Sequence, residues 1–163
     1  MRRSVRKRLV LLLLAVVVLA IAGWQWRRDI QEAPGALLSL QPSSITHLSL
    51  RIGKAPTENY SRHDGKWYRV DGAAVRADYG HLDELTETAA ASVLRWRPAS
   101  DFDPVRIGLQ PPASTLTLDG HVLDFGEISV TGPQCYVRIG NRVALISIRY
   151  MPRPLRAQTT KLP

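Results

Sequence analysis

Leu9 to Trp26, LVLLLLAVVVLAIAGWQW, runs apolar for eighteen residues with only Gln25 interrupting it. A helix of that length rises about 27 Å, close to the roughly 30 Å hydrocarbon thickness of a bilayer, so it is long enough to cross once. Before the run stand Arg2, Arg3, Arg6, Lys7 and Arg8; after it come only Arg27 and Arg28, followed by Asp29 and Glu32. The excess of positive charge on the amino-terminal side keeps that side cytoplasmic and sends the rest of the chain across the inner membrane, which predicts a periplasmic carboxyl-terminal domain. Ala20-Ile21-Ala22 before Gly23 also fits a signal-peptide cleavage site. Trp24 and Trp26, followed by Arg27 and Arg28, argue for a retained anchor, because tryptophans at a helix exit belong at the membrane interface.

Charge first points to a polyanionic partner, since the chain carries +8. Five of its basic residues precede the apolar run, however, leaving 17 basic against 14 acidic residues beyond it. An exported domain at +3 does not read as a nucleic-acid binder. The basic residues that remain uneven are Arg138, Arg142, Arg149, Arg153, Arg156 and Lys161, which follow Glu127 with no further acidic residue. Cys135 is the single cysteine, so the fold rests on an apolar core rather than on a disulfide.

Punctuation along the chain divides it into a basic flank at 1–8, the anchor at 9–26, a tether at 27–42, one domain at 43–150 and a basic, Pro-containing tail at 151–163. The tether mixes Pro, Gly and Ser, with room for a short helical turn around Leu37 to Leu40. ITHLSLRI alternates, with Leu48, Leu50 and Ile52 on one face and His47, Ser49 and Arg51 on the other. Asp64-Gly65 closes a hairpin that sets Arg62 opposite Trp67 and Tyr60 opposite Arg69. That face is either a recognition surface or cross-strand cation–π packing. Leu82, Leu85, Ala89 and Val93 recur at helical spacing after Asp78, a residue suited to an N-cap, and Pro98 stops anything past Trp96. Residues 99–112 read as a connection. Asp119-Gly120 and Gly140-Asn141 close two further hairpins. The expected fold is α+β, a mainly antiparallel sheet of hairpins packed on one amphipathic helix and preceded by a single transmembrane helix.

WYRVDG, RADYGHLDEL, DFDPVRIGLQPP, LDFGE and CYVRIGNRVALI, taken in that order over residues 43 to 150, resemble a bacterial extracytoplasmic family of unknown function. The same domain recurs in GldG-type auxiliary proteins of ABC transport systems. The resemblance implies an accessory role at the envelope and brings no catalytic residue with it.

The chemistry-bearing residues point the same way. No nucleophile elbow, zinc-protease helix or phosphate loop occurs, and no cofactor or metal ligand set is read from the sequence. His47, His63, His81 and His121 are scattered singly. Alternation places Cys135 with Val137 and Ile139 on an apolar face, as a buried structural thiol. Asp101 and Asp103 sit where a turn needs capping. The reading is a membrane-anchored periplasmic accessory or scaffold module that binds a protein partner in a transport or envelope complex. A small periplasmic hydrolase or transferase is the alternative. Partner-surface residues are Tyr60, Arg62, Trp67, Arg69, Arg149, Arg153 and Arg156; Trp24, Trp26, Arg27 and Arg28 face the membrane interface. VALISI, from Val143 to Ile148, is apolar on both faces and demands either a central strand or an exposed apolar patch.

Overall fold

A computed structural model describes residues 13–23, 35–71 and 79–153. The chain divides into two compact units, Met1–Ala33 and Pro34–Pro163. In the first, residues 13–23 are helical, and their large side chains are exposed on every side, from Val17 at 48 % to Leu19 at 71 %. The described part of this helix rises about 16 Å. Among the described residues no helix is long and apolar enough to cross a membrane. Trp24, Trp26, Arg27 and Arg28 lie outside the described residues, as do Asp78 and Arg156.

The second unit holds an antiparallel sheet with strands β1 (His47–Ile52), β2 (Glu58–His63), β3 (Lys66–Arg69), β4 (Arg95–Pro98), β5 (Ser114–Leu118), β6 (His121–Ile128), β7 (Gln134–Ile139) and β8 (Arg142–Ser147). Its eight strands lie in the order β3-β2-β1-β5-β6-β7-β8-β4. The three predicted hairpins form at their predicted turns. Asp64 and Gly65 take φ of 50° and 71°, and Asp119 and Gly120 take 44° and 86°. Positive φ at both central residues gives a two-residue turn whose twist matches the strands it joins, which is why Asp-Gly closes both. Asp119 also fastens the start of β1, its Oδ1 accepting the His47 N–H at 2.8 Å.

One face of the sheet carries the core. Leu48, Leu50, Leu116, Leu118, Leu123, Phe125, Val137, Ala144 and Ile146 are all buried there. Cross-strand pairs such as Leu48 with Leu118, Leu116 with Leu123 and Val137 with Ala144 hold them in register. Helix α1 (Tyr79–Glu87) covers this face with Leu82 and Leu85, joined by Ala89 and Val93.

Three boundaries differ from the sequence reading. The helix stops at Glu87 instead of running toward Trp96, and after one 3-10 turn, Thr88–Ala90, the chain is extended. Tertiary pairing takes over the backbone there: Leu37 N–H donates to Ala91 O, Leu38 N–H to Ala89 O and Val93 N–H to Gly35 O, all within 2.9 Å. Hence residues 35–42 are no tether. Leu37 and Leu38 are in the core, and the expected helical turn at 37–40 is replaced by a 3-10 turn at Pro42–Ser44. Beyond the break, Arg95–Pro98 becomes edge strand β4 on β8. β8 is therefore flanked by β7 and β4, and the two-faced apolarity of VALISI marks an interior strand. At the other boundary, Met151 packs against the core and Pro152 is buried, so the domain continues past residue 150.

Candidate functional site

The opposite face of the sheet is built from the alternate residues of the same strands, and pairing sets them in rows. One row crosses six strands: Arg51 faces Thr115, Thr115 faces Asp124, Asp124 faces Arg138, Arg138 faces Val143 and Val143 faces Arg97. Its first four members are chained by hydrogen bonds. Arg51 Nη2 donates to Thr115 Oγ1 at 3.2 Å, and Thr115 Oγ1 donates to Asp124 Oδ1 at 3.0 Å. Arg138 Nη2 donates to Asp124 Oδ2 at 2.8 Å. Asp124 is the least exposed of the charged members, its side chain 17 % accessible, and it holds an arginine and a threonine at once. Charged groups bonded this way keep fixed positions, with rotamer freedom already lost before any partner arrives. Ser49 extends the polar surface, donating from Oγ to Asn59 Oδ1 at 2.5 Å.

Residues 99–112 occupy part of this face. Ala99 N–H bonds to Asn141 O and Glu127 N–H to Ile107 O, so the segment crosses the sheet from the β7–β8 turn to the end of β6. Phe102 meets Tyr136 edge-on at 5.7 Å between centroids. Leu109 and Val143 are buried yet stand apart from the main core cluster. Asp101 pairs with Arg97 at 3.5 Å, and Asp103 Oδ1 accepts the Val105 N–H at 3.0 Å. Asp103 thus caps its turn as expected, whereas Asp101 pairs with a neighbouring cation.

The hairpin β2–β3 has the predicted register, Arg62 opposite Trp67 and Tyr60 opposite Arg69. Its aromatic face, however, is turned inward, which corrects the placement of Tyr60 and Trp67 on a partner surface. Tyr60 is 3 % exposed and Trp67 fully buried. The arginines on that face reach its rim. Arg62 lies 5.6 Å over the Trp67 ring, with Nη2 3.9 Å from Asp83, while Trp67 Nε1 donates to the same Asp83 carboxylate at 3.0 Å. Arg69 pairs with Glu58 at 3.5 Å, and Glu58 accepts the Tyr60 hydroxyl at 2.8 Å. Burial and that carboxylate raise the Tyr60 phenol above its ordinary range. These four residues thus lock the hairpin to itself and to α1.

At the carboxyl end, Arg149 is exposed and stacks 4.4 Å over Tyr150, whose hydroxyl accepts from its guanidinium; Arg153 is exposed. Cys135 is fully buried among core side chains, and desolvation pushes its thiol up to about 11. The Asp71 carboxyl is held below its usual range by hydrogen bonds from the Asn59 side chain and backbone N–H. Among the described residues, no three His, Cys, Asp or Glu side chains group closely enough to hold a metal ion. The row from Arg51 to Arg97 escaped the sequence reading, although the Thr-Leu-Thr and Val-Leu-Asp alternation of β5 and β6 already marks Thr115 and Asp124 as same-face neighbours once the Asp119-Gly120 turn fixes their register. The chain matches no family model, no curated protein and no solved structure.

Proposed function

We propose that the protein is a single-pass inner-membrane protein whose periplasmic α+β domain is an accessory or scaffold module, binding a protein partner on the open face of its sheet. The observation that carries this reading is the row Arg51–Thr115–Asp124–Arg138, four hydrogen-bonded polar groups side by side across adjacent strands. A flat array of fixed donors and acceptors suits a broad protein surface, where polar complementarity sets partner choice and register. Small substrates are instead held in concave sites with converging polar groups. Membrane attachment is supported by the apolar, basically flanked amino-terminal run, and an envelope complex by the resemblance of the sequence to transport auxiliary domains.

Two measurements test the reading. Membranes washed with alkaline carbonate should retain the chain, and amino-terminal sequencing should not begin at Gly23. Affinity purification from native membranes should recover a partner that the face variants Arg51→Glu and Thr117→Arg lose, Thr117 lying opposite Ser49 on the same face, with the wild-type complex weakening as salt rises. Recovery of every partner by both variants would exclude the sheet face as the interface; carbonate release would exclude the anchor.

A further inference from the structure

The end of the domain at which β6 and β8 finish and β7 begins carries an unusual set of exposed side chains. Val130 is 100 % exposed, Val105 64 % and Ile128 51 %. Ile128 and Val130 stand at the end of β6 and just beyond it, and Val105 on the crossing segment that a hydrogen bond brings to this end. Glu127 N–H to Ile107 O, at 2.8 Å, seats the loop bearing Val105 and Arg106 beside the end of β6. Ile148 N–H to Pro133 O, at 3.1 Å, seats the 3-10 turn Ile148–Tyr150, with Arg149, against the β6–β7 connection. Arg153 follows four residues on. Within these segments the exposed cations Arg106, Arg149 and Arg153 stand against Asp103, which caps its own turn, and the exposed Glu127; α1, whose Asp83 is taken by Trp67 and Arg62, also reaches the Ile148–Tyr150 turn.

The first described residues of the domain lie at the same end. Val93 N–H bonds to Gly35 O at 2.8 Å and Leu94 N–H to Leu145 O at 2.9 Å, so the domain's entry point lies beside the finish of β8. Resting on the anchored reading above, we infer that this end of the domain docks on an anionic lipid surface. Val105, Ile128 and Val130 enter the headgroup layer, while Arg106, Arg149 and Arg153 pair with lipid phosphates. Exposed aliphatic side chains on two neighbouring segments, with guanidinium groups on the same segments and the adjoining turn, fit a deformable layer of apolar chains beneath phosphates. A protein partner of ordinary interface chemistry would instead meet one contiguous, well-packed apolar centre.

The experiment places an environment-sensitive NBD fluorophore on Val130→Cys, in the full chain carrying Cys135→Ala, reconstituted into vesicles. A probe on Asn141→Cys, in the β7–β8 turn at the far end of the domain, is the control. In vesicles containing phosphatidylglycerol the probe at 130 should shift to the blue and brighten relative to pure phosphatidylcholine, while the probe at 141 stays at its aqueous emission. Arg106→Glu with Arg149→Glu, or salt near 1 M where the screening length falls to about 3 Å, should return the probe at 130 toward the aqueous value. Equal aqueous emission at 130 and 141 in phosphatidylglycerol vesicles, with the chain still floating alongside the lipid, overturns the inference and leaves the anchor standing. A chain that fails to float overturns both. Vesicles hold no other protein, so a blue shift there cannot come from a protein partner.

Discussion

Replacing Trp67 with alanine separates a core residue from a recognition residue. Trp67 is fully buried beneath α1, with its indole N–H on Asp83 and the Arg62 guanidinium over its ring. Removing a buried tryptophan side chain costs about 3–5 kcal/mol through lost transfer energy and the cavity left behind. The stacked arginine contributes about 0.5–1 kcal/mol more. A domain of this size has about 5–15 kcal/mol in total, so Trp67→Ala removes roughly a quarter of its stability or more. Trp67→Phe keeps most of the apolar contact and loses the N–H. Asp83, 54 % exposed, then turns to water, which limits the cost to about 1–2 kcal/mol. Urea unfolding of the full chain in detergent, followed by far-ultraviolet circular dichroism, measures both. The midpoints should fall in the order wild type, Trp67→Phe, Trp67→Ala, with the slope unchanged. An unchanged midpoint for Trp67→Ala together with loss of a partner would refute the argument and return Trp67 to the surface.

Cys135 should react with a maleimide only after denaturation, and its raised thiol pKa makes stability fall as pH climbs from about 9 to about 11, because the unfolded chain releases that proton first; a flat stability profile through that range would count against it. Asp71 works in the opposite sense: its lowered pKa contributes stability that is present above the ordinary carboxyl range and lost as pH falls through and below 3.8, an acid sensitivity that Asn59→Ala should reduce, the backbone N–H bond remaining. Asp124→Ala should cost about 1.5–3 kcal/mol by stranding Arg138 and Thr115, whereas Asp124→Asn keeps the shape and one acceptor and costs less; equal midpoints for the two variants would mean that the row is not energetically coupled.

The hairpins were legible because their turns are chemically explicit. Asp64-Gly65, Asp119-Gly120 and Gly140-Asn141 each fix a register on their own, and the pairing of Tyr60 with Arg69 follows from nothing else. What local pattern cannot supply is which face of a hairpin turns inward. On β2 and β3 the arginines made the Tyr60–Trp67 face look wet, yet Arg62 and Arg69 lay their stems along the core and carry their charges out to Asp83 and Glu58. Strand β4 was illegible for a related reason. Arg95–Pro98 has four residues, an arginine at either side of Trp96, and a proline whose missing N–H is tolerated only because the strand is an edge. Its strandedness comes from β8, whose paired residues lie 44 to 50 positions further along the chain, as the helix's early end comes from Leu37 and Leu38.

Gly126 links these long-range effects to the site. Residues 99–112 cover the sheet over Val143 and Tyr136, which divides the outer face into a shielded part and the open part that carries Arg51, Thr115 and Asp124. The crossing segment comes down on β6 at Gly126, where a Cβ would run into the Ile107 carbonyl oxygen and press on Leu109. The closest contact is backbone, which cannot swing aside as the end of a flexible side chain would, and the Leu109 side chain behind it is itself buried. Gly126→Ala must therefore lift the segment or bend β6, at about 1–3 kcal/mol or more. The break should be local: the Glu127 N–H bond to Ile107 O opens and Leu109 becomes accessible, while the Trp67 side of the core keeps its packing. Hydrogen exchange read by mass spectrometry should show faster exchange in peptides spanning 104–109 and 125–128, with peptides spanning 58–69 unchanged. Protection lost evenly over the whole domain would show that the crossing segment is part of one cooperative unit with the inner core, and unaltered exchange throughout would show that it does not rest on Gly126 at all.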